Sequence, residues 1–247
     1  SSTIAALMQA NSTKKVKTFT IGFEDFDYNE AKYAKKIASI LGTDHSEFYL
    51  SSKDAIEIIP NLSSIYSEPF ADSSQIPTFL VSKMAKEKVT VALAGDGGDE
   101  LFGGYNRYVL GNQMWKKISH LPLNLRKLIS NIIFKIPPDT YNSFFNQIFK
   151  FFPLKSTYSN LGDKLHKGSR VMVAKDIEDL YDLFISHWPN INEVMNSQEG
   201  DLLNKIKFIK DIESNDFVFK MMATDISHYL PDDILCKVDR AAMACSL

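Results

Sequence analysis

The sequence predicts an α/β fold, a parallel sheet followed by a helical subdomain, and three features of the chain point to it. Short β-rich or apolar runs at 18–23, 46–50 and 89–93 alternate with helical periodicities long enough to serve as crossovers. Strand signals stop after about residue 108, where Pro122, Pro137, Pro138 and Pro153 punctuate amphipathic, aromatic-rich segments of helical character. The last apolar run leads straight into a glycine-rich acidic turn, Gly95-Asp-Gly-Gly-Asp-Glu100, at the carboxyl end of a strand, where open α/β sheets bind ligands.

In chain order, Ser1-Ser2-Thr3 reads as a helix N-cap and residues 3–10 as a short apolar helix. Lys14-Lys-Val-Lys17 bridges to the strand Thr18-Phe-Thr-Ile-Gly-Phe23. Asp27 and Glu30 have the spacing of a capping box for a helix over 28–41, with Ala31, Ala34, Ile37, Ala38 and Leu41 on one face and Gly42 as its stop. Ser46-Glu-Phe-Tyr-Leu50 predicts the second strand, and Ser51 with Asp54 starts a helix that Pro60 kinks. A helix over 74–87 presents Phe79, Leu80, Met84 and Ala85 as a buried stripe. The run Val89-Thr-Val-Ala-Leu93 follows as a strand covered on both faces. The order is αβαβααβ, and a strand before Ser1 would complete its regularity. The expected division is an α/β core over 1–108 and a mainly helical subdomain over 109–247.

Composition excludes several classes. A net charge of −2 and a pI near 6.2 give no global attraction for nucleic acid or an anionic membrane. No run approaches the length of a membrane span, and Cys236 and Cys245 form neither a disulfide scaffold nor a zinc motif. They read as inert helix residues in a cytoplasmic protein. Both ends read as interior to a longer protein. Residues 116–170 carry ten Lys/Arg against two acidic residues, and 171–247 carry seven against fourteen. Solvated helix faces account for such runs, with a basic docking face as the alternative.

Two clusters carry candidate chemistry. Asp96, Asp99 and Glu100 crowd three carboxylates into five residues, a costly arrangement unless a cation sits among them. Near the other end, Pro231-Asp-Asp233 suits a helix start, and Lys237 and Arg240, three apart, share a face that can clamp phosphate oxygens. Taken singly, these groups are ordinary turn carboxylates and an ordinary surface pair. Tyr105 and Arg107 read as residues packing the turn, His45 as a loop histidine, and His187 and His228 as structural.

Together, Ala94-Gly-Asp-Gly-Gly-Asp-Glu-Leu-Phe-Gly-Gly-Tyr-Asn-Arg-Tyr108 and Tyr229-Leu-Pro-Asp-Asp-Ile-Leu-Cys-Lys-Val-Asp-Arg-Ala-Ala-Met-Ala244 resemble the synthetase domain of glutamine-dependent asparagine synthetases. Thr18–Phe23, Leu41-Gly-Thr-Asp-His45 and Ser67-Glu-Pro-Phe-Ala-Asp-Ser-Ser74 fall in that family's order, so the resemblance spans the chain with a looser middle. It implies a parallel sheet of the PP-loop ATP pyrophosphatase type. It implies ATP and Mg²⁺ as cofactors, and adenylation of the aspartate side chain to β-aspartyl-AMP with release of pyrophosphate. Ammonia, made from glutamine by a glutaminase domain absent from this chain, then gives asparagine.

Residue by residue, the resemblance gives Asp99 as the Mg²⁺ carboxylate and Asp96 as a residue near the reacting centre. Ala94 and Gly95 would lie close to the nucleotide, and Ile21 and Gly22 would border adenine. Ser1 and Ser2, the last two residues of the family's phosphate loop, would lie near the phosphates at a helix N-terminus. Lys237 and Arg240 would face the α-phosphate and pyrophosphate, and Asp72, Ser73 and Ser74 would line the substrate pocket. With the rest of the loop missing, the chain alone is expected to be inactive, its longer parent being a possible homodimer. Two alternatives stay open: an amidotransferase or β-lactam-forming relative acting on another carboxylate, and a non-catalytic nucleotide- or partner-binding module.

Overall fold

The computed structural model describes residues 1–23, 29–149, 161–185, 214 and 216–247. The expected Asp27 cap, Pro153 and His187 lie outside these. The fold is a helix-rich α/β arrangement with a small parallel sheet, and it divides into two compact units, residues 1–102 with 225–247, and residues 103–224.

The first unit opens with α1 (Ser2–Ala10) and β1 (Lys17–Phe23), then α2 (Ala31–Leu41) and β2 (Asp44–Leu50). β1 and β2 pair in parallel, Thr18 opposite His45 and Ile21 opposite Phe48. Gly42 ends α2 in the left-handed conformation at φ 70°, the stop its position predicts. The helix α3 (Ser52–Ile58) has a complete capping box, in which the Ser51 hydroxyl accepts from the Asp54 amide and Asp54 accepts from the Ser51 amide. A single 3₁₀ turn around Pro60 follows, then α4 (Leu62–Tyr66). The helix α5 (Gln75–Lys86) buries Ser82 and Ala85, with Phe79, Leu80 and Met84 half-buried.

The strand expected at 89–93 is absent. Val91 is 76% and Leu93 66% exposed, and the sheet has two strands among the described residues. A parallel strand exists only through neighbours that complete its hydrogen bonds. The Lys17 ammonium donates to the Lys88 carbonyl at 2.9 Å, so the segment sets out beside β1, but no described strand pairs with it. An exposed apolar segment of this kind is prone to self-association.

After the short α6 (Gly98–Phe102), the second unit is helical: α7 (Asn106–Ile118), α8 (Leu123–Lys135), α9 (Pro138–Phe149), α10 (Leu161–Val171), α11 (Ile177–Ile185) and most of α12 (Phe217–Ser227). One core joins Tyr108, Tyr181 and Met221, and a second joins Val171, Ala174 and Leu180. Arg126, expected on a solvated face, is only 4% exposed. Its guanidinium donates to the carbonyls of Leu121, Met172 and Ala174 at 3.0, 2.9 and 2.6 Å.

The junction of α9 and α10 is equally tight. A Cβ on Gly162 would lie 2.1 Å from the Pro138 carbonyl oxygen, and its amide donates to Asn142 Oδ1 at 2.7 Å. Gly162→Ala is therefore expected to destabilise this unit by about 3 kcal/mol through overpacking, read as a lowered urea midpoint.

The chain returns to the first unit through a π-helical turn, Leu230–Leu235, with Pro231 at its start, and continues as α13 (Cys236–Ala244), which packs on α5 and α4. None of the described helices is long and apolar enough to cross a membrane.

Candidate functional site

Most of the candidate site residues fall in two groups of the first unit, while Ile21 and Gly22 lie in its sheet and Tyr105 and Arg107 belong to the second unit. The first group surrounds α13. Lys237 is only 7% exposed, and its ammonium donates to Asp72 Oδ2 at 2.5 Å and to the Ser74 hydroxyl at 2.7 Å. Ser74 itself donates to Asp72 twice, from its amide to Oδ1 and from its hydroxyl to Oδ2, each at 2.8 Å. Three side chains thus close a ring of charge-assisted bonds. Ser73, between them, is exposed.

One turn further on, the Arg240 guanidinium donates to the Tyr66 carbonyl and lies 3.8 Å from the largely exposed Glu68 carboxylate. The connection from α4 to α5 is shaped for this. Ser67 takes the left-handed conformation at φ 65°, the Tyr66 ring stacks on Phe70 at 5.3 Å, and Gln75 Nε2 donates to the Phe70 carbonyl at 2.9 Å. Burial, followed by the charge of Asp72, pushes the Tyr66 phenol up to about 12, so it stays protonated and donates to the Gln75 carbonyl. Tyr66 and Glu68 were not singled out from the sequence. Glu68 lies in the family-like segment Ser67–Ser74 but was given no role there, and Tyr66 just before it had as its signal the aromatic pair it forms with Phe70 across a Glu-Pro step.

Burial alone would raise the Asp72 carboxyl. The hydrogen bond from Lys237, those from Ser74 and the ammonium's charge outweigh it and hold the group below its ordinary value. A carboxyl whose folded value is depressed stabilises the fold above its unfolded value and loses that contribution as pH falls through the folded one. The stability gap between wild type and Asp72→Asn should therefore be full at neutral pH and close as pH drops below about 4, read by urea titrations at several pH values.

The second group is the acidic turn. Ala94, Asp96 and Asp99 are exposed, Gly95 is half-buried, and Asp99 stands in the first turn of α6. A Cβ built on Gly95 would lie 2.3 Å from the Ser1 nitrogen, so only glycine lets the turn meet the start of α1. Ser1 thus sits beside Gly95, and Ser2 follows it as the first residue of α1. Gly97, at φ 82°, faces Leu230, whose methyl carbons would lie 3.7 Å from a Cβ placed there. The turn therefore adjoins the π-helical segment that leads into Lys237 and Arg240.

Among the described residues, no three His, Cys, Asp or Glu side chains converge to hold a metal ion. An exposed Asp99 nonetheless fits Mg²⁺, which favours one or two carboxylates plus substrate phosphates over an all-protein cage.

Ile21 and Gly22 lie in β1, where a Cβ on Gly22 would strike Ala31 and the Tyr49 ring, each at 2.9 Å. The glycine is thus already explained by close packing of α2 and β2 on β1. His45, expected in a loop, belongs to β2. Its Nδ1 shares a hydrogen bond with Thr18 Oγ1 at 2.9 Å, and its Nε2 lies 3.9 Å from Glu47. Cys245 packs its thiol 3.9 Å from the Phe79 carbonyl, and burial raises its pKa, in keeping with an inert residue.

Comparison with known proteins bears on this arrangement. A sequence model of the Asparagine synthase family matches residues 1–247. A putative glutamine-hydrolysing asparagine synthetase 2 of Methanocaldococcus jannaschii is 43% identical over 133 residues, 53% of this chain and 25% of the relative. Glutamine-hydrolysing asparagine synthetase 1 of Bacillus subtilis is 29% identical over 233 residues, 94% of this chain and 34% of the relative. A putative glutamine-hydrolysing asparagine synthetase of Mycobacterium bovis is 26% identical over 246 residues, all of this chain and 35% of the relative. The chain spans about a quarter to a third of the length of these relatives. No solved structure matches it. With its family pattern matched from end to end, the chain belongs to the asparagine synthase family.

Proposed function

We propose that the chain is the core of an ATP-dependent amide-forming domain of PP-loop type, which adenylates the side chain of aspartate and passes the acyl group to ammonia. The activity is assigned to the longer polypeptide that the relatives represent, in which a glutaminase domain supplies the ammonia. The reading leans above all on one proximity: Leu230, which opens the π-helical turn leading to Lys237 and Arg240, has its methyl carbons 3.7 Å from where a Cβ on Gly97 of the acidic turn would stand.

In the first step a carboxylate oxygen of aspartate bonds to the α-phosphorus, and the bond to the bridging oxygen of pyrophosphate breaks. Negative charge accumulates on the leaving group. Arg240 and Lys237 offer N–H donors for that charge, and Asp99 would hold Mg²⁺, which when bound neutralises the pyrophosphate oxygens. Asp96 stands next to Gly95, where the nucleotide would approach the backbone and the start of α1 would meet its phosphates. In the second step ammonia bonds to the acyl carbon, AMP leaves, and the surplus proton passes to a base, a role for which Asp96 is the candidate.

Carboxylate-dependent exchange of pyrophosphate into ATP by the longer protein tests the reading. Aspartate should support exchange and asparagine should form when ammonia is added. Exchange with another carboxylate but not with aspartate would transfer the assignment to a relative with a different acceptor, and no exchange with any would sink it.

A further inference from the structure

Lys237 and Arg240 share a helical face, yet their surroundings differ sharply. An ammonium has three N–H donors and no acceptor. Two of those of Lys237 are committed, to Asp72 and Ser74, at 2.5 and 2.7 Å. The Asp72 carboxylate is also fixed by both donors of Ser74, so it cannot swing away without breaking three bonds. With its charge matched at contact distance and its side chain almost covered, Lys237 contributes little net positive potential.

Arg240 has five donors. One reaches the Tyr66 carbonyl, and its nearest carboxylate, on Glu68, is 3.8 Å away and mostly in water. Among the described residues its charge is therefore matched less closely than that of Lys237, and most of its fork has no partner.

We infer that Asp72 and Ser74 are positioning residues that lock the Lys237 ammonium in place and neutralise it, leaving Arg240 as the cation that meets the polyphosphate. This rests on the nucleotide-binding reading of the site. It reassigns Asp72 and Ser74 from lining the substrate pocket to acting through Lys237, whose one remaining N–H is a directed donor. Ser73, exposed and outside the ring of bonds, has no part in it.

Two readouts on the longer protein separate the clamp from the function. The first needs no nucleotide: acylation of Lys237 by acetic anhydride, followed by mass spectrometry of its peptide. Asp72→Asn should raise the labelling rate about tenfold, because the ammonium loses its charged acceptor. Asp72→Glu should bring it back to within about twofold of wild type, and Ser74→Ala should raise it about threefold. Unchanged labelling in both Asp72→Asn and Ser74→Ala overturns the clamp. If Asp72→Asn does not fold, Ser74→Ala decides alone.

The second readout is calorimetric binding of Mg²⁺–ATP. Arg240→Gln should weaken it about fiftyfold and flatten its salt dependence, and Asp72→Asn should weaken it about fivefold. In a Lys237→Met background, Asp72→Asn should have no further effect. An equal loss in both backgrounds would mean that Asp72 touches the ligand itself, and would overturn the inference. A wild-type protein that binds no Mg²⁺–ATP would sink the nucleotide reading, while the labelling comparison would still decide the clamp.

Discussion

Asparagine in place of Asp99 is expected to lower aspartate-dependent ATP–pyrophosphate exchange by about a thousandfold, a loss of about 4 kcal/mol of transition-state stabilisation. The exchange of one carboxylate oxygen for an amide nitrogen barely alters shape. Asp99 is exposed in the first turn of α6, so stability should stay within about 0.5 kcal/mol of wild type. The loss should therefore be chemical. A neutral amide binds a hard divalent cation poorly, and pyrophosphate then departs with its charge less well neutralised. Equal urea midpoints with a thousandfold gap in exchange would be the signature. Exchange retained to within tenfold would take the Mg²⁺ role away from Asp99.

Replacing Arg126 by alanine should be the most damaging change for the helical unit, destabilising it by about 4 kcal/mol. Three carbonyls at the junction of α8, α10 and α11 lose a charged donor together, and the guanidinium's stacking over the Trp115 ring at 5.6 Å is lost as well. Among the described residues no carboxylate pairs with this arginine, so its removal leaves acceptors, not a counter-charge, unsatisfied. Lysine at this position keeps the charge but not the fork and should recover only about half the loss. Urea denaturation of the three proteins gives the comparison, and equal midpoints for wild type and Arg126→Ala would contradict it.

Arg126 also marks where the sequence stops being legible. Its neighbours Lys116, Lys117, Lys127 and Lys135 carry the same charge, and nothing local distinguishes the one cation that is buried. Its partners lie five, 46 and 48 residues away. By contrast, β1, β2, α2, α3 and α5 were read to within a few residues, because periodicity, the Ser51–Asp54 capping box and the Gly42 stop are all local. Residues 89–93 failed for the opposite reason. The β propensity was present, but a strand is a relation between segments, and no described neighbour pairs there.

The site was legible in the same uneven way. The candidate residues were proposed by resemblance, yet the bond between Asp72 and Lys237 spans 165 positions and could not be read from spacing. Tyr66 serves Arg240 through its backbone carbonyl, which leaves no trace in side-chain identity.

The π-helical turn at Leu230–Leu235 acts as a phase setting for everything after it. A π turn takes up about one residue more than an α turn, so the helix beyond it is rotated by about 100° relative to an uninterrupted helix. Lys237 meets Asp72, and Arg240 meets the Tyr66 carbonyl, at that rotation. Deleting one residue from the turn would change no site residue, yet it would carry both cations away from their partners together. Residues 230–235 should therefore tolerate substitution far better than a change in length.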